Sequence, residues 1–262
     1  MSTHAYGALS DQVADLWLPD GDVPDTGWPV VVLVHGGFWR HRYRRELMEP
    51  LARDLTARGL AAWNVEYRRV PPPDEIIPVD DRGGWPATLQ DVAAAMDALA
   101  DLDAPLDLHR TATVGHSAGG QLALWLASRA RLPVDAPGAA PRLLPAVTVG
   151  LAPAADLHGG ERDGMGNGAM ADLLGGTSAE VPERWDVADP LGHVGHGVPV
   201  LLVHGERDES VPLAQSQAYA EAVAAAGDDV TLSTDVCDHM AVIDPLSPAW
   251  LRAAVWLEQR LA

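Results

Sequence analysis

The residues best suited to chemistry in this 262-residue sequence form a glycine-rich motif around one serine. The motif reads Gly115-His116-Ser117-Ala118-Gly119 and lies between an apolar run ending at Val114 and a helical pattern beginning near Gln121. A serine on a tight, strained strand-to-helix turn exposes its hydroxyl, and the flanking glycines let the backbones pass closely. We therefore predict that Ser117 is a nucleophile. The alternative is a glycine-rich turn whose serine only caps a helix.

A second motif, His35-Gly36-Gly37-Phe38-Trp39, follows the apolar run 29–34 directly. Acyl transfer needs backbone N–H groups aimed at a tetrahedral oxyanion, and glycines expose such groups without a side chain in the way. We expect the amides of Gly36 and Gly37 to be donors, together with that of Ala118, the residue after the nucleophile. The alternative is an ordinary turn at a strand end.

A serine hydroxyl needs a histidine to remove its proton, and that histidine needs an acceptor to hold its tautomer. Asp208 follows the apolar run 200–203, and His239 follows the next run, 230–232. One helix and one strand separate them, so both return to the same sheet edge. We predict His239 as the base and Asp208 as its acid.

Other residues near these positions are weaker candidates. His35 and His204 are better placed to bond loop backbone than to act as the base. Adjacent side chains of an extended backbone point in opposite directions, which disfavours the neighbouring carboxylates as the acid. These carboxylates are Glu206, Glu209 and Asp238.

The elements that position these residues follow from alternating apolar runs and helical patterns, which indicate βαβ units and a mostly parallel sheet. We predict an α/β fold of seven to eight strands with helices on both faces, in one domain spanning 1–262. The run 13–18 is expected to be an early, antiparallel edge strand. The helix around Leu47, Leu51 and Leu55 should restart at Pro50, and Ser247 should open the last helix.

Two long segments, 70–85 and 153–197, interrupt this alternation and are expected to form a small cap of loops and helices over the site. Four residues are tentative substrate contacts: Phe38, Trp39, Trp85 and His116. The tryptophans are equally suited to packing, and His116 is equally suited to supporting Ser117.

The composition excludes several classes of protein. Acidic residues number 37 against 18 basic ones, all arginine, giving a net charge of −19, which argues against a nucleic-acid partner. Residues 1–17 show neither a basic patch nor a long apolar run, and the single Cys237 cannot pair internally. We expect a cytoplasmic protein with no membrane association. His193 and His196 have no cysteine or carboxylate cluster nearby in the sequence, so no metal site is expected. The proposed hydrolase is also expected to need no cofactor.

These motifs together resemble the α/β-hydrolase superfamily over essentially the whole chain. His35-Gly36-Gly37-Phe38-Trp39 is similar to the H-G-G-x-W motif of kynurenine formamidase-like and related small esterases. Asn64-Val65-Glu66-Tyr67-Arg68 is similar to a stretch that is usually structural in the same esterases. The resemblance implies hydrolysis of an ester or an N-formyl amide.

Residues and resemblance together favour a serine hydrolase that cleaves small neutral carboxylic esters through an acyl-enzyme. An arylformamidase is the first alternative. A non-catalytic small-molecule receptor on the same fold, and an acyltransferase or thioesterase, are the others. The expected partner is a small-molecule ester or formamide, and a homodimer is left open.

Overall fold

The computed structural model describes residues 1–72 and 74–262 and is built on one sheet in the order β1-β2-β4-β3-β5-β6-β7-β8. The pairs β1–β2 and β2–β4 are antiparallel, and the pairs from β4 to β8 are parallel. The strands are β1 (Ser2–Ala5), β2 (Val13–Trp17), β3 (Trp28–Val34), β4 (Ala61–Val65), β5 (Leu106–His116), β6 (Val147–Leu151), β7 (Val200–Gly205) and β8 (Val230–Asp235). The predicted, mostly parallel α/β sheet is confirmed.

The expectation that the run 13–18 forms the sheet edge is wrong. Strand β1 lies outside β2 and takes that position. It is short and largely exposed, so it carries no apolar pattern that the sequence could show. Its pairing rests on backbone hydrogen bonds and on one polar contact, from the Thr3 hydroxyl to Asp15 at 2.6 Å.

The described part of the chain contains eight α-helices, and the sheet is buried on both of its faces. Strand β3 shows why both faces are needed, since Val30, Val32 and Val34 pack on one side while Val31 and Leu33 pack on the other. Each such burial is worth about 1.5–3 kcal/mol. The helices are α1 (Glu49–Ala57), α2 (Ala87–Asp97), α3 (Ala118–Ser128), α4 (Leu157–Arg162), α5 (Ala169–Leu174), α6 (Pro182–Ala188), α7 (Ala214–Ala225) and α8 (Pro248–Arg260).

Local sequence signals explain several helix ends. Pro50 lies in the first turn of α1, and the preceding turn, Arg45–Met48, is a short 3-10 helix. The Ser247 hydroxyl accepts a hydrogen bond from the Trp250 amide and caps α8. Helix α3 begins at Ala118, earlier than predicted, because the chain turns into the helix directly after Ser117.

The two irregular segments have different structures. The segment 153–197 contains helices α4, α5 and α6, whereas 70–85 contains only the 3-10 turn Val79–Asp81 among its described residues. Pro73, which belongs to the segment 70–85, lies outside the described residues. No helix in the described chain combines the length and the apolar character needed to cross a bilayer.

Because β3 and β5 to β8 run parallel, their carboxyl ends meet along one edge of the sheet. Val34, His116, Gly205 and Asp235 end their strands there. The segment 35–39 and the residues Ser117, Asp208 and His239 each follow one of these strand ends, so the sheet brings them together at one edge.

Candidate active site

Ser117 lies on the sharp turn between β5 and α3. Its backbone angles are φ 57° and ψ −120°, a conformation that is strained for a residue with a side chain. The turn is held because the Ser117 amide donates to the Leu151 carbonyl at 2.9 Å and the Ser117 carbonyl accepts from the Ala154 amide at 3.1 Å. A Cβ at Gly119 would overlap the carbonyls of Val34 and His35, so only glycine lets α3 approach β3 this closely.

Asp208 and His239 form a hydrogen bond of 2.6 Å between Oδ2 and Nδ1. The other oxygen, Oδ1, accepts from the amides of Ser210 and Val211, both at 2.8 Å. Burial alone would raise the pKa of Asp208, but hydrogen bonds from His204, His239 and the Val211 amide lower it well below its usual range. An ionised Asp208 can only accept, so Nδ1 of His239 carries a proton and Nε2 is free to take one.

His204 supports Asp208 from the other side. Its buried ring lies between the Ser216 hydroxyl, 2.7 Å from Nδ1, and the Val211 carbonyl, 2.9 Å from Nε2. The same Nε2 is 3.4 Å from Asp208 Oδ2. The sequence suggested that His204 bonds to loop backbone, and its bond to the Val211 carbonyl agrees with this. The contact with Asp208 was not predicted, although the two residues are four positions apart in the sequence.

Ser117 and His239 face the same cavity, which has a volume of about 250 Å³. The described hydrogen bonds do not include one between the two side chains, and such bonds often tighten only when substrate is bound. The lining residues are Gly37, Phe38, Tyr43, Leu47, His116, Ser117, Ser210, His239 and Met240. The side chains of Ser117 and His239 therefore open onto one small, largely apolar space.

The loop after β3 forms a second wall of this cavity. Gly37, Phe38 and Trp39 all have positive φ angles, 121°, 51° and 56°. Two consecutive non-glycine residues in this region indicate strain that the surrounding structure must offset. The amides of Gly37 and Ala118 donate no hydrogen bond to any described residue, so both are free to meet an oxyanion.

A buried ionic network fixes this loop to β4. His35 Nε2 lies 3.0 Å from Glu66 Oε1, and the His35 ring stacks on Tyr67 with centroids 4.3 Å apart. Glu66 also pairs with Arg69 at 3.3 Å and accepts from the Arg45 amide at 3.2 Å. Burial would raise the pKa of Glu66, but His35, Arg69 and the Tyr67 amide lower it overall. Glu66, which the sequence left unassigned, thus anchors the loop that carries Gly36 and Gly37.

Two of the four expected substrate contacts do not line this cavity. Trp39 is fully buried and donates from Nε1 to Gln121 Oε1 at 3.0 Å, because its positive φ turns the ring under α3. Trp85 does not line the cavity; its ring packs against the core and its amide donates to Leu173 at 2.6 Å. Phe38 and His116 do line the cavity.

The segments 70–85 and 153–197, which were expected to form a cap over the site, contribute none of the described residues that line the cavity. The segment 153–197 contacts the site from behind, where the Ala154 amide donates to the Ser117 carbonyl and Gly166 packs against the Phe38 ring. The wall is formed instead by Tyr43 and Leu47, which follow the strained loop, and by Met240, which follows His239. Nothing in the local sequence marked these three residues, since their role depends on how distant segments meet.

The comparison with known proteins agrees with this geometry. The structure superposes on a truncated carbohydrate esterase from gut microbiota with a TM-score of 0.81, at 17% identity, covering 100% of this chain and 96% of that chain. It superposes on esterase B from Lactobacillus rhamnosis (HN001) with a TM-score of 0.77, at 20% identity, covering 99% and 86%. The fold is thus the α/β-hydrolase fold, as predicted.

Two curated relatives and one family model match the sequence of this chain. Esterase LipQ of Mycobacterium tuberculosis is 26% identical over 230 residues, covering 83% of this chain and 51% of LipQ. Esterase LipC of the same organism is 28% identical over 227 residues, covering 82% and 53%. The chain therefore spans about half the length of these curated relatives. The BD-FAE family model matches residues 14–223, and the chain belongs to the BD-FAE family.

Replacing Glu66 by glutamine should destabilise the protein by roughly 3 kcal/mol at neutral pH, because it leaves Arg69 and His35 without their buried anion. The pKa of Glu66 is lowered in the folded protein, so the charge contributes fully above about pH 4.3 and its contribution is lost as the pH falls through the lower folded value. The difference between wild type and Glu66→Gln should therefore shrink in acid.

Urea unfolding at pH 7 and at pH 4 measures this difference. Glu221→Gln, on the exposed face of α7, is the matched control and should show no change at either pH. A Glu66→Gln variant as stable as wild type at pH 7 would contradict the anchoring role.

Proposed function

We propose that this chain is a serine hydrolase that cleaves small neutral carboxylic esters through an acyl-enzyme. The observation that carries the proposal is the 2.6 Å hydrogen bond between Asp208 and His239 beside a cavity onto which Ser117 also opens. The family and its esterase relatives support ester hydrolysis as the reaction.

In the proposed mechanism, Ser117 Oγ attacks the ester carbonyl while His239 Nε2 takes the hydroxyl proton. Asp208 holds the imidazole in its orientation and stabilises the imidazolium. His239 then gives the proton to the leaving alcohol, and water repeats the sequence to release the acid and regenerate Ser117. The amides of Gly36, Gly37 and Ala118 are proposed to stabilise the oxyanion, and one such donor can be worth about 3 kcal/mol of the barrier.

The size and lining of the cavity support a small acyl group. A volume of about 250 Å³ beside Phe38, Tyr43, Leu47 and Met240 suits a short or flat apolar group rather than a long chain. No carboxylate or guanidinium is among the described lining residues, which favours a neutral substrate.

The leaving alcohol is proposed to lie in a more open groove that shares Ser210, His239 and Met240 with the cavity. Arg207, Glu209 and Asp238 complete this groove. Its charged and hydroxyl groups are suited to a polar alcohol. Similarity to a carbohydrate esterase favours a sugar among such alcohols.

Arylformamide hydrolysis is the second candidate. Phe38 and Tyr43 are two aromatic side chains beside the nucleophile and suit an aryl ring. The comparison that separates the candidates is kcat/KM for phenyl acetate against kcat/KM for N-formylkynurenine. We expect the ester to be the better substrate; a formamide preference of several decades would assign the second activity instead.

Ser117→Ala should abolish turnover of both substrates and prevent labelling by a fluorophosphonate probe, because the variant lacks the hydroxyl that is proposed to attack both. Mass spectrometry of the labelled protein identifies the modified residue. Ser210→Ala, which removes the other serine of the cavity, should still take up the probe on Ser117. Retained turnover in Ser117→Ala would refute the mechanism, and an unlabelled but folded wild type would favour a non-catalytic receptor.

Leu47→Ala should widen the acyl site and raise kcat/KM for 4-nitrophenyl octanoate relative to 4-nitrophenyl acetate by roughly tenfold, since each methylene accommodated in an apolar pocket is worth about 1–3 kcal/mol. Leu251→Ala, on the outer surface of α8, is the control for leucine truncation. An unchanged chain-length ratio in Leu47→Ala would mean that the acyl group lies elsewhere.

A further inference from the structure

His116, the last residue of β5, touches both partners of the proposed proton transfer. It directly precedes Ser117 and is only 2% exposed. Its ring lies 4.6 Å from the His239 ring, centroid to centroid, with an interplanar angle of 42°. Its Nε2 lies 3.0 Å from the backbone carbonyl oxygen of His239.

The partners of the two ring nitrogens determine the protonation of His116. A carbonyl oxygen only accepts, so Nε2 must carry the proton and donate a hydrogen bond to the His239 carbonyl oxygen. Nδ1 is buried and has no partner among the described residues. The backbone of Gly36 covers it, since a Cβ at Gly36 would lie only 2.9 Å from Nδ1. A proton on Nδ1 would thus be buried without an acceptor, and the ring is held neutral.

The surroundings of His116 also favour its neutral form. Burial, and then the nearby His239, lower the pKa of His116 to about 3, against smaller opposing effects of the His239 carbonyl and of Asp208. His204 lowers it further. On the rim of the groove, Arg207, Glu209 and Asp238 are the charged groups beside His239. A neutral His116 matters because a second cation this close would oppose the imidazolium that forms on His239.

His239 is therefore held at two points that belong to different parts of the sheet. Asp208 holds the ring through Nδ1, and His116 holds the backbone through the carbonyl. Asp238 orders the turn that follows by accepting from the Met240 and Ala241 amides, but it does not tie that turn to β5. The bond from His116 is thus the link between the base and the strand that presents the nucleophile.

We propose that His116 is a positioning residue that fixes the distance between His239 and Ser117 by donating from Nε2 to the His239 carbonyl while remaining neutral. This inference rests on the proposed function. It assigns a task to the variable position of the G-x-S-x-G motif.

Two variants separate donation from packing. His116→Met fills a similar volume without a donor, whereas His116→Gln places an amide N–H near the position of Nε2. We expect His116→Met to lower kcat/KM for ethyl acetate by roughly 100-fold with KM little changed, since a small misplacement of a catalytic group can cost that much. His116→Gln should recover most of the loss.

The leaving group provides a readout that a merely structural role would not move. An alkoxide needs the proton that His239 returns, whereas 4-nitrophenolate leaves without it. His116→Met should therefore lose more activity on ethyl acetate than on 4-nitrophenyl acetate. Equal losses on both esters, equal losses in both variants, or full activity in His116→Met would each overturn the proposal.

A measurement on the unaltered side chain keeps the proposal testable if the variants do not fold. Histidine ¹⁵N NMR of Ser117→Ala, which retains His116, should show the His116 proton on Nε2 and no titration between pH 8 and pH 5. A proton on Nδ1, or protonation within that range, would overturn the proposal. This spectrum needs no turnover, so its failure is distinguishable from failure of the proposed function, which turnover by Ser117→Ala would reveal.

Discussion

The hydrogen bond between Asp208 and His239 is the interaction on which the rest of the site depends, because it decides which nitrogen of His239 is free to accept a proton. It leaves Nε2 free only if Asp208 stays ionised although its side chain is buried. Hydrogen bonds from the amides of Ser210 and Val211, together with the contact with His204, stabilise the buried charge of Asp208. The parallel pair β7 and β8 then brings the two residues, distant in the chain, to the same edge of the sheet.

The loop after β3 poses a different physical problem, because its backbone must be held in a strained conformation. Positive φ angles at Phe38 and Trp39 turn one ring toward the cavity and the other into the core. The contact of His35 with Glu66 and the bond from Trp39 to Gln121 hold the loop in this shape. Strain at the site is thus offset by a buried ionic network and by packing under α3.

The sequence predicted features that depend on local patterns and missed those that depend on distant contacts. Continuous apolar runs indicated parallel strands, and Pro50 and Ser247 marked helix ends that the structure confirms. Strand β1 was not predicted, because it is short and largely exposed and so has no apolar pattern. The sequence did not predict that Tyr43, Leu47 and Met240 line the cavity. They do so because segments distant in the chain meet there. The catalytic roles of Ser117, Asp208 and His239 stay predictions that the geometry supports.

The most direct test of the account is kcat/KM of Asp208→Asn for phenyl acetate, compared with that of Asp238→Asn. An asparagine at 208 would favour the wrong tautomer of His239, and a loss of roughly 10⁴-fold is expected for such a change. Among the described residues, the Asp238 side chain accepts from the turn amides of Met240 and Ala241 alone, so its replacement should cost far less. The account is contradicted if Asp208→Asn stays within about tenfold of wild type, or if Asp238→Asn is the variant that loses activity.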